Sequence, residues 1–327
     1  MSDATLLDLL DALADGERHS GEALATRFGI SRAALAKRVD KLRDWGVALD
    51  AQPGAGYRLG HPLQRLDAAG IAAALPPAVR ALGLAVAVAA RVDSSNSRLL
   101  AADPALDPQA LFAESQTAGR GRRGRDWVSP FGSNLYLSLA WSFPAWPARL
   151  TTLPLAVAVA LARALAALGL PEAGIKWPND LHADGRKLAG VLIEPRGEAG
   201  GPCRVVVGVG LNLHMQEPQA VGLSQPWTSL AAALAARGRA PPARQAVAVA
   251  VLTELALALR NFQDHGFSPF AAEWRGRDLL RDLPVRVEGA GGCEGIARGI
   301  DSDGGLIVEG DGGRRVVHAG DVSVRAQ

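Results

Sequence analysis

The sequence predicts an α/β chain of several units, an α+β assembly in which a winged helix-turn-helix precedes a mixed-sheet domain and a small β barrel of SH3-like type. Three observations carry this. Residues 1–62 hold three helical hydrophobic periods separated by polar caps and a glycine, then a Pro/Gly hairpin. Residues 63–275 alternate valine- and leucine-rich strand runs with apolar helical stretches. Residues 276–327 carry short β-rich runs between Gly/Asp turn clusters at regular intervals.

Composition narrows the class. The chain has 327 residues, 48% hydrophobic and 21% charged, enough for two or three domains with a substantial core. Net charge is only +2, so anion binding has to come from local clusters. Two cysteines, Cys203 and Cys293, exclude a disulfide framework and a Cys-x-x-Cys zinc site and fit a reducing compartment. Met1 to Thr5 lacks the basic start and apolar run of a secretory signal. The run Leu153 to Gly169 is short for a membrane span and carries Arg163, which predicts a buried helix, no membrane role and a cytoplasmic location.

In the first unit, Leu6, Leu7, Leu9, Leu10 and Leu13 give one amphipathic helix. Ser20 caps a second that ends at Gly29, and Ser31 caps a third from Arg32 to about Trp45. In the third helix Leu35, Val39 and Leu42 share one face. Arg32, Ala33, Ala36, Lys37 and Lys41 occupy the other side, small residues for close approach to bases and cations for phosphates. Val47 to Leu49 and Tyr57 to Leu59 flank Pro53-Gly54-Ala55-Gly56 as a wing. The stretch from His61 to about Pro77 reads as a connector.

In the middle unit Leu84 to Val92 reads as a buried strand, ending in Asp93-Ser94-Ser95-Asn96, which can cap the next helix or point hydroxyls at a ligand. Asn134 to Trp141 is an alternating strand and 153–169 a helix. Ile175 to Leu181 is a strand ending in a rigid turn. Lys187 to Glu194 and Val205 to Leu213 are strands interrupted by glycine, where a ligand can lie against backbone. Gln245 to about Gln263 is an amphipathic helix covering the sheet. In the last unit, strands around Leu283, Glu294, Leu306 and Arg315 alternate with turns at Gly289–Gly292, Asp301–Gly305 and Gly310–Gly313.

Between two of these strands stands Gly119-Arg120-Gly121-Arg122-Arg123-Gly124-Arg125. Three readings compete: a solvated basic loop, an Arg/Gly nucleic-acid patch, and a dinucleotide fingerprint. The fingerprint fails on context. It must open a helix, and Trp127-Val128-Ser129-Pro130 with Gly132 cannot continue one. There is no Walker A sequence, no His-Glu-x-x-His and no Gly-x-Ser-x-Gly, and the six histidines are scattered. What remains is cations, glycines, hydroxyls and a few lysines around a sheet. That set suits phosphoryl or nucleotidyl chemistry by positioning and charge stabilisation.

Four motifs with the third helix complete a pattern: the Gly119–Arg125 loop, Lys176-Trp177-Pro178-Asn179-Asp180, Lys187-Leu188-Ala189-Gly190, Gly208-Val209-Gly210-Leu211-Asn212, and Ser31-Arg32-Ala33-Ala34 with Leu42-Arg43-Asp44-Trp45-Gly46-Val47. Over nearly its whole length the chain resembles the bacterial bifunctional biotin–protein ligases that double as repressors of biotin synthesis genes. One departure is Ser95, where that family usually has threonine.

The resemblance implies a central ligase domain of the class II synthetase-like type. Biotin and ATP, with Mg²⁺, would give biotinyl-5′-AMP, and biotin would pass to a lysine of a biotin carboxyl carrier protein domain. Lys187 would bridge the biotin carboxylate and the α-phosphate, and Arg122 would close over the adenylate. Ser94, Ser95, Asn96, Gln116, Arg120, Gly121, Gly190 and Gly208 would join them around biotin. Lys176, Asn179, Asp180, Asn212 and Trp227 would face the nucleotide, with Asp180 toward the metal. Ser31, Arg32, Ala33, Lys37 and Lys41 would meet operator DNA. The basic loop would order around the adenylate and favour a homodimer, with biotinyl-5′-AMP as co-repressor. The alternatives are a ligase whose first domain does not repress the biotin genes, and a lipoate-type ligase.

Overall fold

A computed structural model describes residues 3–197, 201–215, 217–220, 225–289, 292–319 and 322–326. The N-terminal unit holds α1 (Asp3–Ala12), α2 (Gly21–Arg27), α3 (Arg32–Asp44) and the hairpin β1 (Leu49–Gln52) and β2 (Gly56–Leu59). Leu6, Leu9 and Leu10 meet Leu24, Leu35, Val39 and Leu42 in one core, which is the apolar face the helical spacing predicts. Ser20 and Ser31 cap α2 and α3 as expected, each hydroxyl accepting from backbone N–H groups of the first turn. The wing differs. Its first strand starts at Leu49 and runs through exposed Asp50 and Gln52, while Val47 turns into the core. A polar edge strand has no apolar alternation to betray it.

The stretch expected to be a connector, His61 to about Pro77, carries α4 (Ala68–Ala74), and α5 (Pro77–Arg80) begins at its end. Asp67 caps α4 through Ala69 N and Gly70 N, and Ile71, Leu75 and Val79 pack into the central core. Prolines there mark helix starts as well as breaks. The chain continues through β3 (Ala85–Ala89), α6 (Ser95–Leu100), β4 (Gln109–Ala113), β5 (Asn134–Phe143), α7 (Leu153–Ala167), β6 (Gly174–Lys176), β7 (Asp180–Ala183), β8 (Arg186–Gly197) and β9 (Cys203–Asn212). Then come α8 (Leu230–Ala235), α9 (Arg244–His265) and α10 (Ala271–Arg277).

These strands form one sheet in the order β3-β4-β5-β9-β8-β7-β6, parallel between β3 and β4 and antiparallel elsewhere. β3 is therefore an edge strand of alternating exposure, not the buried strand its valines suggest. β5 lies in the interior and is buried on both faces. Asp184 and Gly185, both at positive φ, turn β7 into β8, the Asp-Gly hairpin signal between Ala183 and Arg186. α7 and α9 cover one face. They fall within the two segments long and apolar enough to cross a bilayer, of which 67% and 50% is already buried inside the protein.

The last unit is a five-stranded antiparallel sheet in the order β13-β12-β11-β10-β14. Its strands are β10 (Pro284–Gly289), β11 (Cys293–Ile300), β12 (Leu306–Gly310), β13 (Gly313–Val317) and β14 (Val322–Ala326). β14 had no sequence counterpart, and Ala290 and Gly291 of one expected turn lie outside the described residues. Trp177 Nε1 donates to Gly304 O at 2.9 Å, tying this unit to the β6–β7 turn.

A buried ion pair ties the connector to the central sheet and α9. Glu114 and Arg244 are 2% and 3% exposed and bonded to each other; Glu114 also accepts from Leu66 N, and Arg244 donates to Asn134 O. Glu114→Ala leaves a buried guanidinium uncompensated and is expected to cost about 3–5 kcal/mol, read as a lower urea midpoint for the central sheet. Nearby, the His214 ring lies 5.2 Å from that of His61. Burial, then His61 and Arg244, lower the His214 pKa from 6.5 to about 4. Between those values the unfolded imidazole binds a proton that the folded one refuses, so stability falls as pH falls through that window. His214→Asn should flatten this acid-side decline in a pH series of thermal midpoints.

Candidate active site

The site sits on the sheet face opposite α7 and α9. Strand alternation sends Val205, Val207, Val209 and Leu211 to the helices and leaves Val206, Gly208 and Gly210 on the other face. Register then places the glycines side by side, Gly190 opposite Gly210 and Ser138 opposite Gly208. The result is a floor of bare backbone. A Cβ on Gly208 would lie 2.4 Å from Asn96 Oδ1, and one on Gly210 would lie 2.2 Å from the Trp127 ring.

A polar wall rises from the C-terminal ends of β3 and β4. Ser94 does both jobs the sequence left open: its hydroxyl caps α6 through Ser97 N, and it lines the cleft. Gln116 Oε1 accepts from Ser95 N at 2.9 Å and from Ser95 Oγ at 3.0 Å. Ser138 Oγ lies 2.7 Å from Ser95 Oγ and 2.5 Å from Asn96 Oδ1. Glu194 accepts from Asn96 Nδ2 and from Arg120 Nη2, both at 2.8 Å, and so links the wall to the basic loop. The serine in place of threonine at 95 keeps this hydroxyl network whole.

The basic loop folds over the floor as a flap. Gly121 N donates to Arg125 O and Trp127 N to Gly119 O. Arg123 and Gly124, both at positive φ, curl its tip, and no helix follows, as the sequence requires. Gly119 is packed too closely against Trp127 O for any side chain. Trp127 lies over Gly190 and Gly210, and the Lys187 ammonium is 5.4 Å from its ring centre. Lys187 Nζ also meets Asp180 Oδ1 at 2.9 Å.

Beside this cleft is a second, lined by Arg122, Arg123, Arg125, Lys176, Asn179, Asp180 and Lys187. Five cations against one carboxylate suit a polyphosphate. Arg122 Nη1 donates to Asn179 Oδ1 at 3.2 Å. Burial, with Arg123 adding to it, pushes the Arg122 guanidinium below its ordinary pKa, so an arriving anion is favoured there. His182, behind Asp180, is likewise held below its usual value, chiefly by burial. Lys187 and Asn179 border both clefts.

Comparison with known proteins fits this geometry. Residues 88–212 match the biotin/lipoate A/B protein ligase family, residues 5–58 an HTH domain, and residues 284–325 the biotin protein ligase C-terminal domain. The chain is 40% identical over 329 residues to the bifunctional ligase/repressor BirA of Salmonella typhimurium, covering 100% of this chain and 99% of that protein. This chain belongs to the bifunctional biotin ligase/repressor family. It is also 39% identical over 245 residues to the biotin--[acetyl-CoA-carboxylase] ligase of Mycobacterium tuberculosis, covering 72% of this chain and 87% of that one. The biotin protein ligase of Aquifex aeolicus, solved with biotin and ATP, superposes with a TM-score of 0.62 at 26% identity, over 74% of this chain and 99% of that one.

Within this ligase the biotin-site expectations converge: Ser94, Ser95, Asn96, Gln116, Arg120, Gly121, Lys187, Gly190 and Gly208 all line the first cleft, and Arg122 stands in the second. Asn212 and Trp227 are placed differently. Asn212 is 4% exposed and gives its amide to Thr228 O, while the backbone around Trp227 pairs with Lys187. They brace the strand that carries Lys187, and neither borders the two clefts. In the HTH unit Ser31 is the N-cap of α3, and Arg32, Ala33, Lys37 and Lys41 are exposed along it. Residue reading missed Trp127, Gly210, Ser138 and Glu194 as site residues. The alternation of β5, β8 and β9 was the signal that could have found the last three.

Proposed function

We propose that this chain joins biotin to ATP as biotinyl-5′-AMP, passes biotin to a carrier-protein lysine, and represses biotin genes when the adenylate accumulates. The observation that carries the reading is Lys187, on the border between a glycine-floored cleft and a cationic one. In the first step a biotin carboxylate oxygen attacks the α-phosphorus and pyrophosphate leaves. In the second, the unprotonated ε-amine of the acceptor attacks the acyl carbon, AMP leaves, and the amine loses a proton to solvent. Lys187 would hold two anions together, cancelling the repulsion that separates them in water. Arg122 and the flap cover the acyl phosphate and keep water away.

Asp180 fits Mg²⁺ by its donor chemistry: one carboxylate beside a polyphosphate cleft is the usual protein share of such a site. Bound there, Mg²⁺ would neutralise phosphate charge. The three functional units run over 1–62, 63–275 and 276–327, in the cytoplasm, with the adenylate-bound chain forming a homodimer through sheet edges. Two copies would then meet a two-fold operator.

Incubation with ATP, Mg²⁺, labelled biotin and an acceptor domain should transfer label, and unlabelled lipoate should not compete. No transfer would overturn the ligase assignment to this site. Arg32→Ala with Lys37→Ala should weaken operator binding in gel shifts, and lower its salt dependence, while label transfer stays at the wild-type rate. Unchanged operator binding would move the DNA surface off α3.

A further inference from the structure

We propose that Glu194 is a positioning residue for the selectivity of the first cleft. It fixes the Asn96 amide so that the polar wall offers oxygen lone pairs to the ring N–H groups of a cyclic urea. This rests on the biotin reading above and names the residue that makes the cleft choose such a ring.

Glu194 acts through Asn96 and Arg120, which line the cleft. β8 runs beside β9 with Leu192 opposite Gly208 and Glu194 opposite Val206, so the Glu194 side chain rises on the site face just beyond the glycine floor. There a single carboxylate oxygen, Oε2, accepts from both Asn96 Nδ2 and Arg120 Nη2. A carboxylate paired with a guanidinium only accepts. Asn96 is buried, so an unmade bond at its amide is costly. Its nitrogen therefore faces Glu194. Its Oδ1 is turned toward Ser138 and the cleft floor, where it would stand 2.4 Å from a Cβ on Gly208.

That choice passes along the wall through single protons. Oδ1 carries no hydrogen, so the buried Ser138 hydroxyl, 2.5 Å away, gives its only proton there. Ser95 then has to supply the proton between the two hydroxyls. Its hydrogen lies between Ser138 Oγ at 2.7 Å and Gln116 Oε1 at 3.0 Å, both inside the wall. Ser95 Oγ and Asn96 Oδ1 are left with lone pairs for the cleft. Ser94 adds the opposite character. Its Oγ accepts from Ser97 N and meets no acceptor among the described residues, so its proton is kept for a ligand. One donor beside two acceptors is the complement of a carbonyl flanked by two N–H groups. A dithiolane ring has no N–H and would leave both oxygens unpaired, which gives a physical reason for refusing lipoate.

The test titrates the full chain calorimetrically with biotin and with its two ring carbamates, in each of which one ring N–H is replaced by oxygen. Wild type should prefer biotin over at least one carbamate by about 100-fold. Glu194→Met frees the Asn96 amide to turn, and that preference should shrink about tenfold. Glu194→Gln keeps an oxygen able to take both donors and should hold most of the preference. A merely structural role would weaken biotin and carbamate together and leave their ratio alone. An unchanged ratio in folded Glu194→Met would therefore overturn the proposal, as would equal binding of biotin and both carbamates by the wild type. Should Glu194→Met fail to fold, Glu194→Ala decides on the same ratio. No biotin binding by the wild type would instead overturn the biotin reading, and the role of Glu194 with it.

Discussion

Lys187→Ala is expected to slow biotin transfer by roughly 10³-fold while changing biotin affinity far less. Of the cations lining the two clefts among the described residues, Lys187 alone borders both. Its ammonium is fixed between Asp180 Oδ1 at 2.9 Å and the face of Trp127 at 5.4 Å, so it needs no reorganisation when two anions close on it. Charge grows on the α-phosphate oxygens only as the carboxylate approaches, and a pre-placed cation acts most strongly there. Single-turnover formation of labelled adenylate, set beside equilibrium biotin binding, separates the two effects. Full adenylation by the alanine variant would remove Lys187 from the chemistry.

Gly210→Val is expected to weaken biotin binding by roughly 10–100-fold, the overpacking cost of about 1–3 kcal/mol expressed as affinity. The Cβ alone would stand 2.2–2.6 Å from three atoms of Trp127. β9 is paired along its length with β5 on one side and β8 on the other, so its backbone cannot retreat. Trp127 has to lift, and the flap lifts with it. Gly210→Ala should show a smaller effect of the same sign. Biotin titration calorimetry checks both; wild-type affinity in the valine variant would show that Trp127 does not need its seat on Gly210.

Much of this was legible in the residues. Caps at Ser20 and Ser31 and the 3.6-residue leucine spacing mark the three N-terminal helices, because helix ends and apolar faces are local properties. For the basic loop, the residues alone excluded one reading, since Pro130 and Gly132 forbid the helix that a dinucleotide fingerprint needs; its role as a flap came only with the family resemblance. Sheet position was not legible. β3 is rich in valine and alanine yet lies at an edge. Composition records how apolar a strand is, but strand order follows from pairings far apart in sequence. Trp127 was hidden for the same reason: only the register of β8 against β9 reveals which glycines lie beneath it. Asn212, carried over by motif as a nucleotide contact, donates its amide to Thr228 O and stands outside the two clefts, a placement that the motif by itself does not record.

The parallel pairing of β3 with β4 holds a steady offset, Ala85 beside Gln109 through Ala89 beside Ala113. The connection between them passes through α6 and a surface turn, and the two strands then deliver Ser94–Asn96 and Gln116 to one end of the sheet. This divides the chain by its tolerance for added length. An extra residue near Pro104–Leu106 enlarges an exposed turn and leaves the offset intact. An extra residue between Ala113 and Gln116 rotates Gln116 away from Ser95 and carries the whole flap with it.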